Sequence, residues 1–376
     1  MIQELLTYFN PLDYVVIWLV VAFLIALYVS FNTFPAIFMI SVKKQLMDEP
    51  GSRSVHSKRT PTLGGIAIFM SLVVVITTLG ALLNTKVLLL LLGGMSILFF
   101  LGLKDDLLVL SPKKKFLGQL LAALVLIIFT DTRIVGFFGI FGITTLPYWF
   151  SVLFTLFVYV LIINAYNLID GVDGLAGSLA LFACAAFTYI FLKTQDISMA
   201  TIAVATIGSL IPFLRLNFAK KRKIFMGDTG SMIIGFLLSF FVVRFLSEAQ
   251  IYRTSIFYNS APILALAIVF FPLLDTFRVF FIRIVFHRKS PFHADQNHLH
   301  HGFLRLGYSH IQTTTCIVII NVILFVLALL FKDFEIHLQL ILLLSIGTIL
   351  YSTVFLYHWI LNSKSKSEIN RRDTLI

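Results

Sequence analysis

The chain has 376 residues, 59% of them hydrophobic, 14% aromatic and only 12% charged, with a formal net charge of +11 and a mean hydropathy of +0.96. An average soluble domain carries roughly 25% charged residues, so this chain cannot clothe a globule of its size in polar surface. A soluble enzyme, a disordered chain and a secreted disulfide scaffold are excluded, and the composition is that of an all-α polytopic integral membrane protein.

A bilayer-crossing helix needs about 20 apolar residues. Runs of that kind fall at 14–34, 64–83, 87–103, 116–130, 147–166, 174–192, 199–214, 230–247, 262–285, 313–331 and 338–361, eleven in all. The first follows no basic segment and precedes no small-residue cleavage site, so it reads as a retained span rather than a signal peptide. The run at 116–130 is short, and the Gly-rich apolar stretch at 134–147 reads as an interfacial hairpin. Cys184 and Cys316 sit inside apolar runs and carry no disulfide or metal-ligand signal.

Lys and Arg alternate between the connections. Segments 41–62, 104–115, 215–223, 278–305 and the tail at 362–376 hold 23 of them, and the other set of connections holds 6. Cytoplasmic loops carry the excess of basic residues, so the N-terminus is expected outside and the C-terminus inside. The positive charge is then topology with some attraction to anionic lipid headgroups, and nucleic acid is set aside as a partner.

Acidic residues are scarce, which makes their placement informative, because charge near the membrane is costly. Four clusters carry them toward the cytoplasmic helix ends. In LGLKDDLLVLSPKKK, Asp105 and Asp106 can bind a divalent ion or share a proton, and Lys113, Lys114 and Lys115 suit a phosphate; a solvated turn capped by topological lysines is the plainer alternative. In NAYNLIDGVDGLAGS, the residues Asn164, Asn167, Asp170 and Asp173 recur every third position, and Gly171 and Gly174 break the helix there. Such oxygen donors can coordinate Mg²⁺ or contact a nucleobase, and burying them between spans would be costly without a task.

The third cluster, KKRKIFMGDTGSMIIGF, leads Asp228 straight into a helix N-terminus, which offers free N–H groups to phosphate; an ordinary N-cap reads the same way. Phe225 just before it offers a stacking face. The fourth, HRKSPFHADQNHLHHGFLRLGYSH, holds six of the nine histidines, among them His298, His300 and His301, with Arg305 beyond. With no thiolate near and oxygen-rich clusters elsewhere, Mg²⁺, with Mn²⁺ as an alternative, suits the set better than zinc. Asp275 and Arg278, three apart, are expected to pair with each other. The loop at 48–65, with Arg53, His56, Lys58 and Arg59, reads as a segment that folds over a ligand.

In this order, the RxxHxxxxPxxGG loop, the DD pair, NAYNLIDGVDGLAG, FMGDTGS and HADQNHLHH resemble the polyprenyl-phosphate N-acetylhexosamine-1-phosphate transferases, over about residues 48–308. HLHH preceded by ADQN is similar to the branch using UDP-GlcNAc rather than the muropeptide branch. The resemblance implies a single transmembrane catalytic domain over 1–376 in the bacterial cytoplasmic (inner) membrane. It also implies transfer of GlcNAc-1-phosphate from UDP-GlcNAc to undecaprenyl phosphate, with release of UMP. Carried over by position, it makes Asp228 and Asn167 metal ligands. Asp173 and Phe225 become uracil contacts, and Lys115, His298, His300 and His301 phosphate and sugar contacts. Asp105, Asp106, Asp170 and His298 are the expected catalytic groups; Asn164, Arg305 and His56 join the substrate set. A different UDP-N-acetylhexosamine, either a 6-deoxy sugar or UDP-MurNAc-pentapeptide, is the alternative donor. A homodimer is left open. A transporter is the rival class, but transporters place polar groups near the midplane, and here they gather at one face.

Overall fold

The computed structural model describes residues 13–48, 60–252, 256–286, 288 and 298–373, with side chains described through Val354. His56, with Arg53, Lys58 and Arg59, lies outside the described residues. Two short strands, β1 (Met47–Asp48) and β2 (Thr60–Pro61), pair antiparallel and clamp the ends of the loop that carries them.

Nine described helices are long and apolar enough to span a bilayer. In chain order the first eight elements are α1 Val15–Lys43, α2 Gly64–Leu79, α3 Thr85–Leu108, α4 Pro112–Thr130, α5 Tyr148–Ile169, α6 Leu175–Lys193, α7 Ile197–Asn217 and α8 Gly227–Ile251. They are followed by α9 Ala261–Ile268, α10 Phe270–Phe281, the short α11 Leu299–Arg305, α12 His310–Leu330 and α13 Ile336–Asp373. The sequence expectation of eleven spans is reduced in two places. The 262–285 run is a bent pair, α9 and α10 meeting at 67°, which counts as one span at most. The 116–130 run is a helix, α4, but its first turn holds Lys113, Lys114 and Lys115, and it is not among the helices long and apolar enough to cross a membrane.

Local chemistry sets several helix starts. Asn84 accepts the Val87 N–H at 3.4 Å and Asp196 accepts the Met199 N–H at 3.1 Å, each satisfying a donor that the first turn leaves orphaned. Ser309 and Gln312 form a reciprocal capping box on α12. The helix α8 is almost wholly enclosed, whereas α1 and the described part of α13 are mostly outward-facing. It packs against α2, α3 and α5, so the element that opens with GDTGS is the axis of the bundle.

The two ends of the bundle differ. At the site end, backbone meets backbone: a Cβ on Gly65 would stand 2.2 Å from Gly230 N, and one on Gly102 would stand 2.5 Å from Thr229 Cα. There Gly64 and Gly65 N–H donate to the carbonyls of Phe225 and Met226 at 3.0 and 2.9 Å, and Phe225 N–H donates to Pro61 O at 2.8 Å. At the other end the 134–147 stretch folds back on itself, with Phe137 N–H to Ile143 O and Leu146 N–H to Val135 O at 3.2 and 2.8 Å. It is tied down by Gln250, whose Nε2 donates to Thr144 O at 2.7 Å, and by His337, whose Nε2 accepts the Phe141 N–H at 3.1 Å. Beneath it lies an apolar cavity of about 350 Å³ lined by Phe137, Phe154, Val242, Pro262 and Leu340 among others.

Candidate active site

Two loops with left-handed glycines deliver the central groups. After α5 ends at Ile169, Asp170 caps it and the chain turns through Gly174 (φ 76°) into α6. A Cβ on Gly174 would stand 1.9 Å from the Phe218 ring, so both the turn and the packing need glycine there. Gly227 (φ 72°) opens α8, and its missing side chain leaves room for Thr62 O and the Asp106 carboxylate.

Asp228 is the meeting point. Its Oδ2 accepts from Lys115 Nζ at 3.2 Å, and its Oδ1 accepts from Asn167 Nδ2. Lys115 also pairs with Asp105, whose Oδ1 takes the Leu110 N–H at 2.5 Å. Asn167 Nδ2 further donates to Ser231 Oγ at 2.9 Å. Asp105, Lys115, Asn167 and Asp228 therefore form one contiguous constellation drawn from α3, α4, α5 and α8, although 123 sequence positions separate the first from the last.

Asp106 stands beside Asp105 and is spent differently. Its Oδ1 accepts the Asp228 N–H at 2.8 Å, and its Oδ2 accepts the Thr229 N–H at 3.0 Å and the Thr229 hydroxyl at 2.6 Å. A carboxylate from α3 thus caps the N-terminus of α8, where orphan donors and the helix dipole favour negative charge. Asp170, half-buried, is pushed well above the usual carboxylate range by burial first and then by the facing carboxylates of Asp228 and Asp106. Lys115 meets Asp105 and Asp228, and with Asp106 and Asp170 close to Asp228 the site is rich in carboxylate oxygens. That donor set fits a hard divalent cation.

The flanks are built from other positions. Lys223 Nζ contacts Asp173 Oδ2 at 2.5 Å and lies 5.2 Å from the Phe225 ring centre. His310 Nδ1 stands 3.2 Å from the same Asp173 oxygen, and Thr314 donates to Asp173 O at 2.9 Å. Asn164 lies a turn deeper and exchanges hydrogen bonds with Gln119 of α4, at 2.8 and 3.4 Å.

His298 Nδ1 and His300 Nδ1 both approach Asp275 Oδ2, at 3.2 and 2.8 Å, while Asp275 Oδ1 takes the Leu299 N–H at 2.5 Å. Arg278 was the only partner the sequence suggested for Asp275; the His loop engages both of its oxygens. His300 Nε2 is buried and has no hydrogen-bond partner among the described residues, and it lies 3.6 Å from where a Cβ on Gly171 would stand, with His301 Cε1 at 3.8 Å. The His loop thus docks on the turn that carries Asp170. Burial, with His300 and His298 beside it, pushes the His301 imidazole down to about 4. Arg305 is exposed at the end of α11.

Gln119, Lys223, Asn217, Asp275 and His310 belong to this architecture without having been singled out as site residues. Asn217 takes the Gly174 N–H at 2.5 Å and donates to Ile224 O at 2.8 Å, tying the two glycine loops together. A polar residue in or beside an apolar run was the only signal available for Gln119 and Asn217.

The family model for glycosyl transferase family 4 matches residues 88–246. Over 333 residues, 88% of this chain and 89% of the relative, the sequence is 33% identical to a probable undecaprenyl-phosphate N-acetylglucosaminyl 1-phosphate transferase of Bacillus subtilis. It is 30% identical over 295 residues, 76% of this chain and 77% of the relative, to the undecaprenyl-phosphate alpha-N-acetylglucosaminyl 1-phosphate transferase of Escherichia coli K12. It is also 33% identical over 283 residues, 69% of this chain and 70% of the relative, to a decaprenyl-phosphate N-acetylglucosaminephosphotransferase of Mycobacterium leprae.

Proposed function

This chain belongs to the polyprenyl-phosphate N-acetylhexosamine-1-phosphate transferases, glycosyl transferase family 4, and we propose that it moves GlcNAc-1-phosphate from UDP-GlcNAc to undecaprenyl phosphate. The products are UMP and undecaprenyl-diphospho-GlcNAc, which begins a cell-surface polysaccharide such as O-antigen, common antigen or a teichoic acid linkage unit. The convergence of Asp105, Lys115, Asn167 and Asp228 at one end of an apolar bundle carries the reading. There a lipid phosphate held in the bilayer can meet a water-soluble nucleotide. The basic connections favour the cytoplasmic face of the inner membrane.

In this reading an oxygen of the lipid phosphate attacks the β-phosphorus of the nucleotide sugar. The bond from that phosphorus to the bridging oxygen breaks, and UMP leaves with the electron pair. A phosphate monoester has a second pKa of about 6, so the acceptor is mostly dianionic at neutral pH and Asp105 has more to do in orienting it than in deprotonating it. Asp228 and Asn167 would hold Mg²⁺, or Mn²⁺, which when bound neutralises the diphosphate and the charge developing on UMP. Lys115 bridges Asp105 and Asp228, placing positive charge between acceptor and donor phosphates. Asp173 and Phe225 receive the uracil, while His298, His300, His301 and Arg305 hold the phosphate and sugar. Asp106 keeps the start of α8, and with it Asp228, in place.

The test is UMP release by the purified protein with undecaprenyl phosphate, Mg²⁺ and a panel of UDP-sugars. Release with UDP-GlcNAc that requires lipid and metal is expected. Asp228→Asn should lower kcat by ~10²-fold or more, since several kcal/mol of charge stabilisation are at stake. Release only with a 6-deoxy-N-acetylhexosamine or muropeptide donor would keep the chemistry and reassign the sugar. No release with any donor from folded protein would overturn the reading.

A further inference from the structure

The helix that supplies Asp275 is interrupted at Val269, about one and a half turns before it. Pro272 lacks an N–H, and its ring excludes the carbonyl four residues back from a continuous α-helix; that residue is Ile268, where α9 ends. The interruption leaves the first N–H groups of α10 without helical acceptors in a segment surrounded by apolar residues, where an unmet backbone donor is costly. One of them, Phe271 N–H, donates to Asn321 Oδ1 on α12 at 3.2 Å.

Asn321 is itself fully accounted for. Its Nδ2 donates to Ile317 O at 3.0 Å and to the Tyr351 hydroxyl at 2.6 Å, and that hydroxyl reaches Ile317 O at 3.4 Å. Asn321 is 0% exposed and Tyr351 2%. The Tyr351 ring lies against Phe270 and Phe271 on either side of the peptide being held, with centroids 6.4 and 5.3 Å away. Gly347, one turn earlier on α13, makes room for the Phe270 ring: a Cβ there would stand 2.3 Å from it. Two outer helices thus form a fitted socket, polar at its centre, around the bend in a third.

We propose that Asn321, with Tyr351, is a positioning residue for the transfer reaction: it pins the bend between α9 and α10 and so sets Asp275 against His298 and His300. The inference rests on the transferase reading above. From Phe271 to Asp275 the helix rises ~6 Å, so a tilt of about 10° at the bend moves the Asp275 carboxylate by ~1 Å. Asp275 holds His300, whose Nε2 faces Gly171 beside Asp170, and a misplacement of that size is enough to cost up to ~10²-fold in rate. A polar residue buried this deeply among spans is worth keeping when a function depends on its geometry.

The test is a double-mutant cycle on UMP release by the full chain in bilayer nanodiscs. Asn321→Leu should lower kcat by ~10- to 100-fold with little change in KM for UDP-GlcNAc. In an Asp275→Asn background the same substitution should cost nothing further, because it acts through Asp275. Tyr351→Phe keeps the ring, removes the hydroxyl and should show a smaller loss with the same non-additivity; it serves if the leucine variant fails to fold. Spin labels at Phe281→Cys and Ile311→Cys, both exposed positions, report the bend without activity. Their separation should shift or broaden in Asn321→Leu. Losses that multiply across the cycle, wild-type rates in Asn321→Leu, or an unchanged label separation would each overturn the proposal. A label shift in a protein that releases no UMP with any donor would support the pin while the transferase reading fell.

Discussion

Asp170 shows how single groups in this site are tuned. Its folded-state pKa is raised by burial and by the carboxylates of Asp228 and Asp106, so the native protein keeps a proton that the unfolded chain loses near pH 3.9. Native protein then binds more protons than unfolded protein, and stability falls as pH rises from about 3.9 toward the raised native value. A divalent cation reverses the local balance by favouring the carboxylate. Adding Mg²⁺ to weakly buffered protein near neutral pH should therefore release protons, with less release from Asp170→Asn. In the absence of metal, the same variant should melt higher than wild type near neutral pH, by scanning calorimetry. Equal proton release from both proteins would remove Asp170 from the cation-linked group. The motif residues were legible in the sequence because acidic side chains are scarce in so apolar a chain. The division of labour between adjacent Asp105 and Asp106 was not, since it depends on which carboxylate faces the start of α8.

At the level of elements, the capping of α8 by a side chain from α3 predicts a separable effect. Asp106→Ala leaves the first N–H groups of α8 without that acceptor and should cost about 1–2 kcal/mol of stability, a typical cap loss. Asn keeps one of the two acceptor oxygens that Asp106 uses, so Asp106→Asn should recover part of the melting temperature lost in Asp106→Ala. Recovery of UMP release along with it would assign the carboxylate to holding Asp228, whereas restored stability without activity would return Asp106 to the chemistry. Helix positions were largely readable, because runs of apolar residues and their polar borders coincide with α2 to α8 within about five residues, while α1 runs on past its predicted end to Lys43. The bend was missed: 262–285 reads as one apolar run, and only Pro272 hinted at an interruption. The polar socket that meets it comes from Asn321 and Tyr351, about 50 to 80 residues further on, and no local pattern announces such a contact.

The whole molecule carries its polarity in its connections. Cysteines placed at exposed Lys114 and Lys221, in a background lacking Cys184 and Cys316, should react with a membrane-impermeant maleimide only after the cells are opened. One at exposed Phe141 should react in intact cells; the reverse pattern would invert the orientation inferred from Lys and Arg. The charge counts alone suffice to propose an orientation, whereas the assembly of distant acidic and basic residues into one site required the helices to be packed. The contrast between the two ends has a mechanical consequence. Where Gly65 and Gly102 let main chains touch, neighbouring helices cannot slide without collision; beneath the 134–147 hairpin, side-chain-lined space leaves them room to splay. A thinner or thicker bilayer should accordingly be absorbed at the hairpin end, and turnover in vesicles of different acyl length should vary less than hydrogen exchange around Phe137 and Pro262. The protein is, in effect, a clothes-peg: clenched at the jaws and yielding at the handles.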